Sequence, residues 1–73
     1  MMITKDDCTW MLFGAACAIG ICPGKAIVLE IAGMCRTLDD AFGAIEAMRK
    51  ATDNNRIFAA RDYLRFVRSK DAA

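Results

Sequence analysis

Four cysteines are the side chains in this sequence best suited to chemistry, because a thiolate can hold a metal ion or act as a nucleophile. They are Cys8, Cys17, Cys22 and Cys35, and all four have apolar neighbours along the chain. Their gaps contain no Cys-x-x-Cys pair, which zinc ribbons and thiol redox motifs use. We therefore expect four reduced thiols that serve as small apolar core residues, with a disulfide and a zinc site as the alternatives.

Other catalytic groups are scarce. The chain has 73 residues and no histidine, so the commonest general base and catalytic metal ligand is missing. Ser69 is the only serine and lies in a charged tail. We find no glycine-rich phosphate loop, nucleophile elbow or paired-acid motif. These observations predict a protein that is not an enzyme and that holds neither a metal nor a cofactor.

The size and the apolar content together predict self-association. Hydrophobic residues make up 56% of the chain, above the usual ~45–50%. A chain this short forms one domain, residues 1–73, and such a domain buries only roughly 60% of its unfolded surface. We expect a homodimer whose interface contains Trp10, Met11, Phe13 and Phe58. The alternative is that a single chain buries these side chains.

A membrane segment is a further alternative. Residues 9–24 carry no charge, and Gly14 and Ala18 have the small-xxx-small spacing by which membrane helices approach closely. A helix of that length reaches only about 24 Å, against about 30 Å for the hydrocarbon core. The first residues contain Asp6 and Asp7 and lack a secretory pattern. We therefore expect buried helices in a cytoplasmic protein, in preference to a membrane segment.

The first two helices are indicated by a cap and by turn residues. Residues 4–7 form a capping box with aspartate in place of glutamate, and Ile3 and Cys8 suit a hydrophobic staple around it. Pro23 and Gly24 predict the end of this helix. A second helix is expected over about residues 25–35, with Gly33 as a glycine C-cap. Its β-branched residues leave a short strand as the alternative.

The third helix has the clearest pattern. Residues 37–40 repeat the capping-box form, with acids at the start and Arg49 and Lys50 at the end, as the helix dipole favours. Gly43 lies on the same polar side of the helix as Asp39 and Glu46. It indicates either a close contact with a neighbouring element or a tolerated loss of helix stability. The expected apolar stripe is Leu38, Phe42 with Ala41, Ile45 and Met48.

The fourth helix is expected to follow the cap-like residues 52–55 and to fray over residues 69–73. Its apolar stripe consists of Ile57, Ala60, Leu64 and Val67. The whole pattern predicts an all-α fold, a compact bundle of three to four short helices completed by homodimerisation.

Charge is divided unevenly along the chain. Residues 1–48 contain three Lys/Arg and six Asp/Glu, a net −3, and residues 49–73 contain seven and three, a net +4. Arg61, Arg65 and Arg68 recur at helical spacing in the basic part, with Tyr63 and Phe66 beside them. We expect these five residues to bind a partner, an acidic protein surface or less readily nucleic acid.

Two other interpretations of the arginines remain open. A solvated helix face is the usual place for such charges. The arginines could also face acidic residues of a second subunit, for which the candidates are Asp6, Asp7, Asp39 and Asp40.

Residues 29–38 resemble a helix-turn-helix motif, since a helical stretch, a small-residue turn with Gly33 and a capped second helix follow in order. That resemblance implies a DNA-binding transcriptional regulator. Asp39 and Asp40 would lie at the start of the recognition helix, where they repel phosphates. The net charge is only +1, whereas DNA-binding domains are usually clearly basic.

We therefore predict a small non-catalytic protein-interaction module, a regulator, adaptor or inhibitor that masks a surface of another protein. Its small size suits proteins of phages and mobile elements. Replacing the three arginines by alanine is expected to leave the helix intact and to weaken partner binding. The DNA-binding regulator is the alternative function.

Overall fold

Four helices follow one another along the chain. The computed structural model describes residues 2–51 and 56–72, with backbone alone for 71 and 72. The helices are α1 (Lys5–Ala18), α2 (Lys25–Gly33), α3 (Leu38–Lys50) and α4 (Arg56–Ala72). No strand occurs within the described ranges, although Met2 and Thr37 form an isolated bridge. The radius of gyration is 11.1 Å, which matches the ~11 Å of a globular domain this long. The predicted compact all-helical fold is confirmed.

The first helix begins where its cap predicts and ends earlier than expected. The Thr4 side chain accepts a hydrogen bond from the Asp7 amide at 3.1 Å, so the predicted start is confirmed. At the other end Gly20 has a φ of 83°, and the Ile21 amide donates to the Ala16 carbonyl at 2.9 Å. This is the Schellman arrangement, which stops a helix at a left-handed glycine. The prediction that Pro23 ends the helix is therefore wrong.

The second helix also ends early. It stops at Gly33, before the expected end at Cys35, and its C-cap is Met34 with a φ of −91°. Gly33 is thus the last helical residue and not the glycine C-cap that the sequence predicts. The choice of helix over strand for this apolar stretch is confirmed.

The third helix starts with a complete capping box, in which Thr37 and Asp40 each bond the other's backbone amide. Its buried apolar residues are Ala41, Ala44 and Met48. Phe42, expected in the apolar stripe, is 55% exposed. The predicted apolar stripe is wrong at Phe42, because α3 packs its small residues against the neighbouring helices. Phe42 is thereby left on the solvent side.

Helices α3 and α4 form the most extensive pair, while α1 packs mainly on α2 and also contacts α3. Tyr63 of α4 lies directly over Gly43, where any side chain on the glycine would overlap the tyrosine ring and hydroxyl. Of the two interpretations of Gly43, the close contact is the one observed. Ile57, Ala60 and Leu64 are buried as predicted.

Residues of all four helices, together with Cys35 between α2 and α3, make up the core. Its buried members are Cys8, Leu12, Ala16, Val28, Ile31, Ala32, Cys35, Ala41, Ala44, Met48, Ile57, Ala60 and Leu64. The cap predicted at residues 52–55 lies outside the described residues. Helix α4 continues to Ala72, through most of the segment expected to fray. Within residues 2–51 and 56–72, each helix is too short or too polar to cross a membrane.

Candidate protein-interaction surface

A buried ion pair joins the last helix to the start of the third. Asp40 is only 7% exposed, and its Oδ2 accepts hydrogen bonds from the amides of Arg36 at 3.0 Å and Thr37 at 3.3 Å. The same oxygen accepts from Nη2 of Arg68 at 3.1 Å. Hydrogen bonds between two charged groups are stronger than those between neutral groups. Arg68 therefore anchors α4 to the cap of α3 within one chain.

The other two arginines of the predicted binding set have different surroundings. Arg61 Nε lies 3.5 Å from Oδ1 of Asp62, and the guanidinium stacks 4.5 Å from the centroid of the Phe58 ring. The Arg61 side chain keeps 25% of its surface exposed. Arg65 is exposed to solvent. The arginines thus follow one side of α4 as the spacing predicts, but Arg65 alone of the three projects freely.

The two predicted aromatic binding residues are also separated by the fold. Tyr63 is half-buried against Gly43, whereas Phe66 is 58% exposed. Lys70 Nζ lies 4.7 Å from the centroid of the Phe66 ring, a cation–π contact. We call Arg65, Phe66, Ser69 and Lys70 the α4 outer surface, since all four are exposed. Sequence reasoning missed Lys70, although its four-residue spacing from Phe66 was a usable signal.

Basic residues at the end of α3 do not extend this surface in the same way. Glu46 lies 4.0 Å from Nη1 of Arg49 and 3.8 Å from Nζ of Lys50. These exposed ion pairs lower the local positive charge there. The α4 outer surface is therefore the better candidate for contact with an acidic partner.

The residues predicted for an oligomer interface fall into two groups. Trp10 is 75% exposed, but Met11, Phe13 and Phe58 are half-buried and pack against the core. Trp10 belongs to the α1 outer face, which we define by the exposed residues Trp10, Gly14, Cys17 and Ala18.

The four cysteines also divide into two pairs. Cys8 and Cys35 are buried, and the Sγ of Cys35 donates to the Thr37 carbonyl at 3.6 Å. Burial, and then the neighbouring Cys35 thiol, raises the pKa of the Cys8 thiol far above its ordinary value. Burial likewise raises the pKa of the Cys35 thiol. Both are therefore protonated, unreactive core thiols at neutral pH.

Cys17 and Cys22 are exposed, so the expectation that all four cysteines are core residues is wrong for these two. All four thiols are free. Among the residues that the structure describes, no three cysteine or carboxylate side chains come together as a metal site would need.

The region that resembles a helix-turn-helix has an acidic outward face. Asp39, Phe42 and Glu46 are exposed on α3, at positions three and four residues apart. Helix α2 packs mainly on α1, while α3 packs mainly on α4. Helix α3, which occupies the position of a recognition helix, thus exposes the carboxylates of Asp39 and Glu46. These two groups repel the phosphates of a nucleic acid.

Comparison with protein families, curated proteins and solved structures found no match for this chain. The exposed surfaces of the chain, and the groups that each can bind, are therefore the guide to its function.

Proposed function

We propose that this chain is a non-catalytic protein-interaction module that binds an acidic surface of another protein through the α4 outer surface. The observation that carries the proposal is the exposed Phe66 ring, with Arg65 beside it in sequence and Lys70 over its face. Aromatic and arginine side chains are the types enriched at the energetically dominant centres of protein interfaces.

Charge supports an acidic partner. Arg65 and Lys70 are exposed, and Asp62, the acid nearest to Arg65 along the helix, already lies beside Arg61. Positive charge around an apolar anchor accelerates encounter with a negative surface and makes that encounter sensitive to salt. Binding of this kind masks the partner's surface, as a regulator, adaptor or inhibitor does.

The proposal includes self-association and a cytoplasmic location. The exposed Trp10 supports a homodimer, because large exposed apolar groups favour association. The exposed free thiols of Cys17 and Cys22 suit a reducing compartment. DNA binding through α3 gains no support, since Asp39 and Glu46 face outward there.

The test is affinity capture from cells of the source organism with tagged protein, quantified by mass spectrometry. Phe66→Ala and Arg65→Glu are each expected to reduce the captured partner at least tenfold. Phe42→Ala serves as the matched control, since it removes an exposed aromatic ring from another helix. If Phe66→Ala and Arg65→Glu capture as much partner as the wild type does, the proposal is wrong.

A second measurement separates protein from nucleic acid. Fluorescence anisotropy of mixed-sequence duplex DNA is followed as protein is added, at low and at physiological salt. We expect no binding at physiological salt. Tight binding that weakens steeply with salt would indicate phosphate contacts and would favour the DNA-binding regulator instead.

A further inference from the structure

The α1 outer face is apolar, uncharged and open. Trp10, Gly14, Cys17 and Ala18 are exposed along it, and the charge-free stretch extends over residues 9–24. A Cβ atom added at Gly14 would meet no atom within 4 Å beyond its chain neighbours and the adjacent backbone of its own helix. The large Trp10 side chain is therefore followed along the same face by small exposed residues.

This arrangement of large and small residues is complementary to itself. Trp10 lies one turn before Gly14, and Ala18 lies one turn after it. If two copies of α1 pack antiparallel and cross at Gly14, each Trp10 lies opposite Ala18 of the other copy. Glycine at the crossing lets the two backbones approach closely.

The charge at one end of α1 selects the antiparallel direction. Asp6 and Asp7 lie in the first turn of the helix, and both are exposed. Antiparallel packing keeps the acidic ends of the two copies at opposite ends of the contact. Parallel packing would instead place the four carboxylates together, which is repulsive.

We propose that the α1 outer face binds a second copy of this chain, through antiparallel α1 helices related by a two-fold axis near Gly14. A 14-residue helix is only about 21 Å long, so its contact is smaller than the ~800 Å² per partner of a standard stable interface. The dimer is therefore weak, with a dissociation constant in the micromolar range or above. This inference specifies the self-association proposed above, and it is independent of binding at α4.

The single tryptophan provides the measurement. Trp10 is the only tryptophan, so a shift of the emission maximum to shorter wavelength with increasing concentration reports its burial. We expect that shift to coincide with dimer formation in analytical ultracentrifugation, under reducing conditions. Protein that remains monomeric at millimolar concentration would overturn the proposal.

Two lysine substitutions localise the contact. Gly14→Lys places two positive charges at the axis and is expected to weaken association at least tenfold, while the open space around Gly14 leaves the monomer folded. Ala26→Lys adds the same charge at an exposed site on α2 and is expected to retain association. Equal affinity in both variants would contradict the proposed surface.

Cross-linking tests the geometry. In a Cys17→Ser/Cys22→Ser background, Gly14→Cys is expected to form a disulfide-linked dimer in a glutathione redox buffer, and Ala26→Cys is expected to remain monomeric. If Ala26→Cys forms disulfide-linked dimers and Gly14→Cys does not, the proposed two-fold axis near Gly14 is wrong. A tryptophan shift that occurs only with phospholipid vesicles would identify a membrane surface, and not a second copy, as the occupant. A negative outcome of these dimer tests has no bearing on the α4 capture experiment. Each proposal can therefore be overturned without the other.

Discussion

At the scale of single residues, Arg68 is the arginine whose role the structure changes most. Its pair with Asp40 joins residues 28 positions apart, so it contributes to the fold and not to a free basic face. Removing one partner of a buried ion pair leaves the other charge uncompensated and costs about 3 kcal/mol. The triple arginine-to-alanine replacement, which the sequence predicts to leave the helix intact, therefore combines a stability defect with any binding defect.

We expect Arg68→Ala to lower the free energy of unfolding by about 3 kcal/mol, measured by urea denaturation. Arg65→Ala is the matched control and should stay within about 0.5 kcal/mol of wild type, because Arg65 is exposed. Equal losses in the two variants would contradict the anchoring role of the Asp40–Arg68 pair.

The buried thiols predict a dependence of stability on alkaline pH. Burial raises the pKa of Cys8 in the folded state above the ordinary 9.0, which the thiol regains on unfolding. The stabilisation is thus complete below pH 9 and is lost as the pH rises further, because only the unfolded thiol ionises there. The loss is at most about 1.4 kcal/mol per pH unit for each thiol.

Urea denaturation between pH 8 and pH 10.5 with a reductant present checks this prediction. We expect Cys8→Ala to lose stability less steeply with pH than wild type, even if it is less stable at pH 8. Cys17→Ala, which removes an exposed thiol, should retain the wild-type slope. A Cys8→Ala slope identical to that of wild type would show that the buried thiol is not the cause.

At the scale of elements, the pairing of α3 with α4 depends on Gly43. A methyl group there overlaps Tyr63, so Gly43→Ala should cost about 1–3 kcal/mol despite the better helix propensity of alanine. Gly33→Ala is the matched control, because its added methyl group meets no atom within 4 Å. Thermal denaturation of the two variants compares them directly.

The contact with Tyr63 is tested by a double-mutant cycle. Once Tyr63→Ala has removed the ring, adding Gly43→Ala should cost far less than it does alone. Strictly additive effects would mean that the cost arises elsewhere in α3.

At the scale of the whole molecule, the two proposed surfaces belong to different helices. Helix α1 carries the uncharged outer face and α4 carries the basic one, so a dimer joined at α1 presents two α4 outer surfaces. Two linked copies bind a repetitive or dimeric partner more tightly than one, because the second contact forms at a high effective concentration. Weak self-association is therefore compatible with effective masking of such a partner.

Features that depend on nearby residues can be predicted from the sequence alone. Thr4 and Thr37 begin their helices because each side chain bonds an amide three residues on, which is a local interaction. The apolar stripe of α4 was readable from its spacing for the same reason. Gly20 also ends α1 by a local motif, although Pro23 and Gly24 are the more conspicuous turn signal in the sequence.

The side of each helix that faces a neighbour depends on long-range packing and becomes visible in the folded chain. Arg68 meets Asp40, Tyr63 covers Gly43, and Phe42 remains exposed because of how α3 and α4 pack. Periodicity shows which residues of one helix share a face, but it does not show which face a neighbouring helix covers. The separation of Arg65 and Phe66 from their buried neighbours follows from that packing, as does the division of the cysteines into inert and exposed pairs.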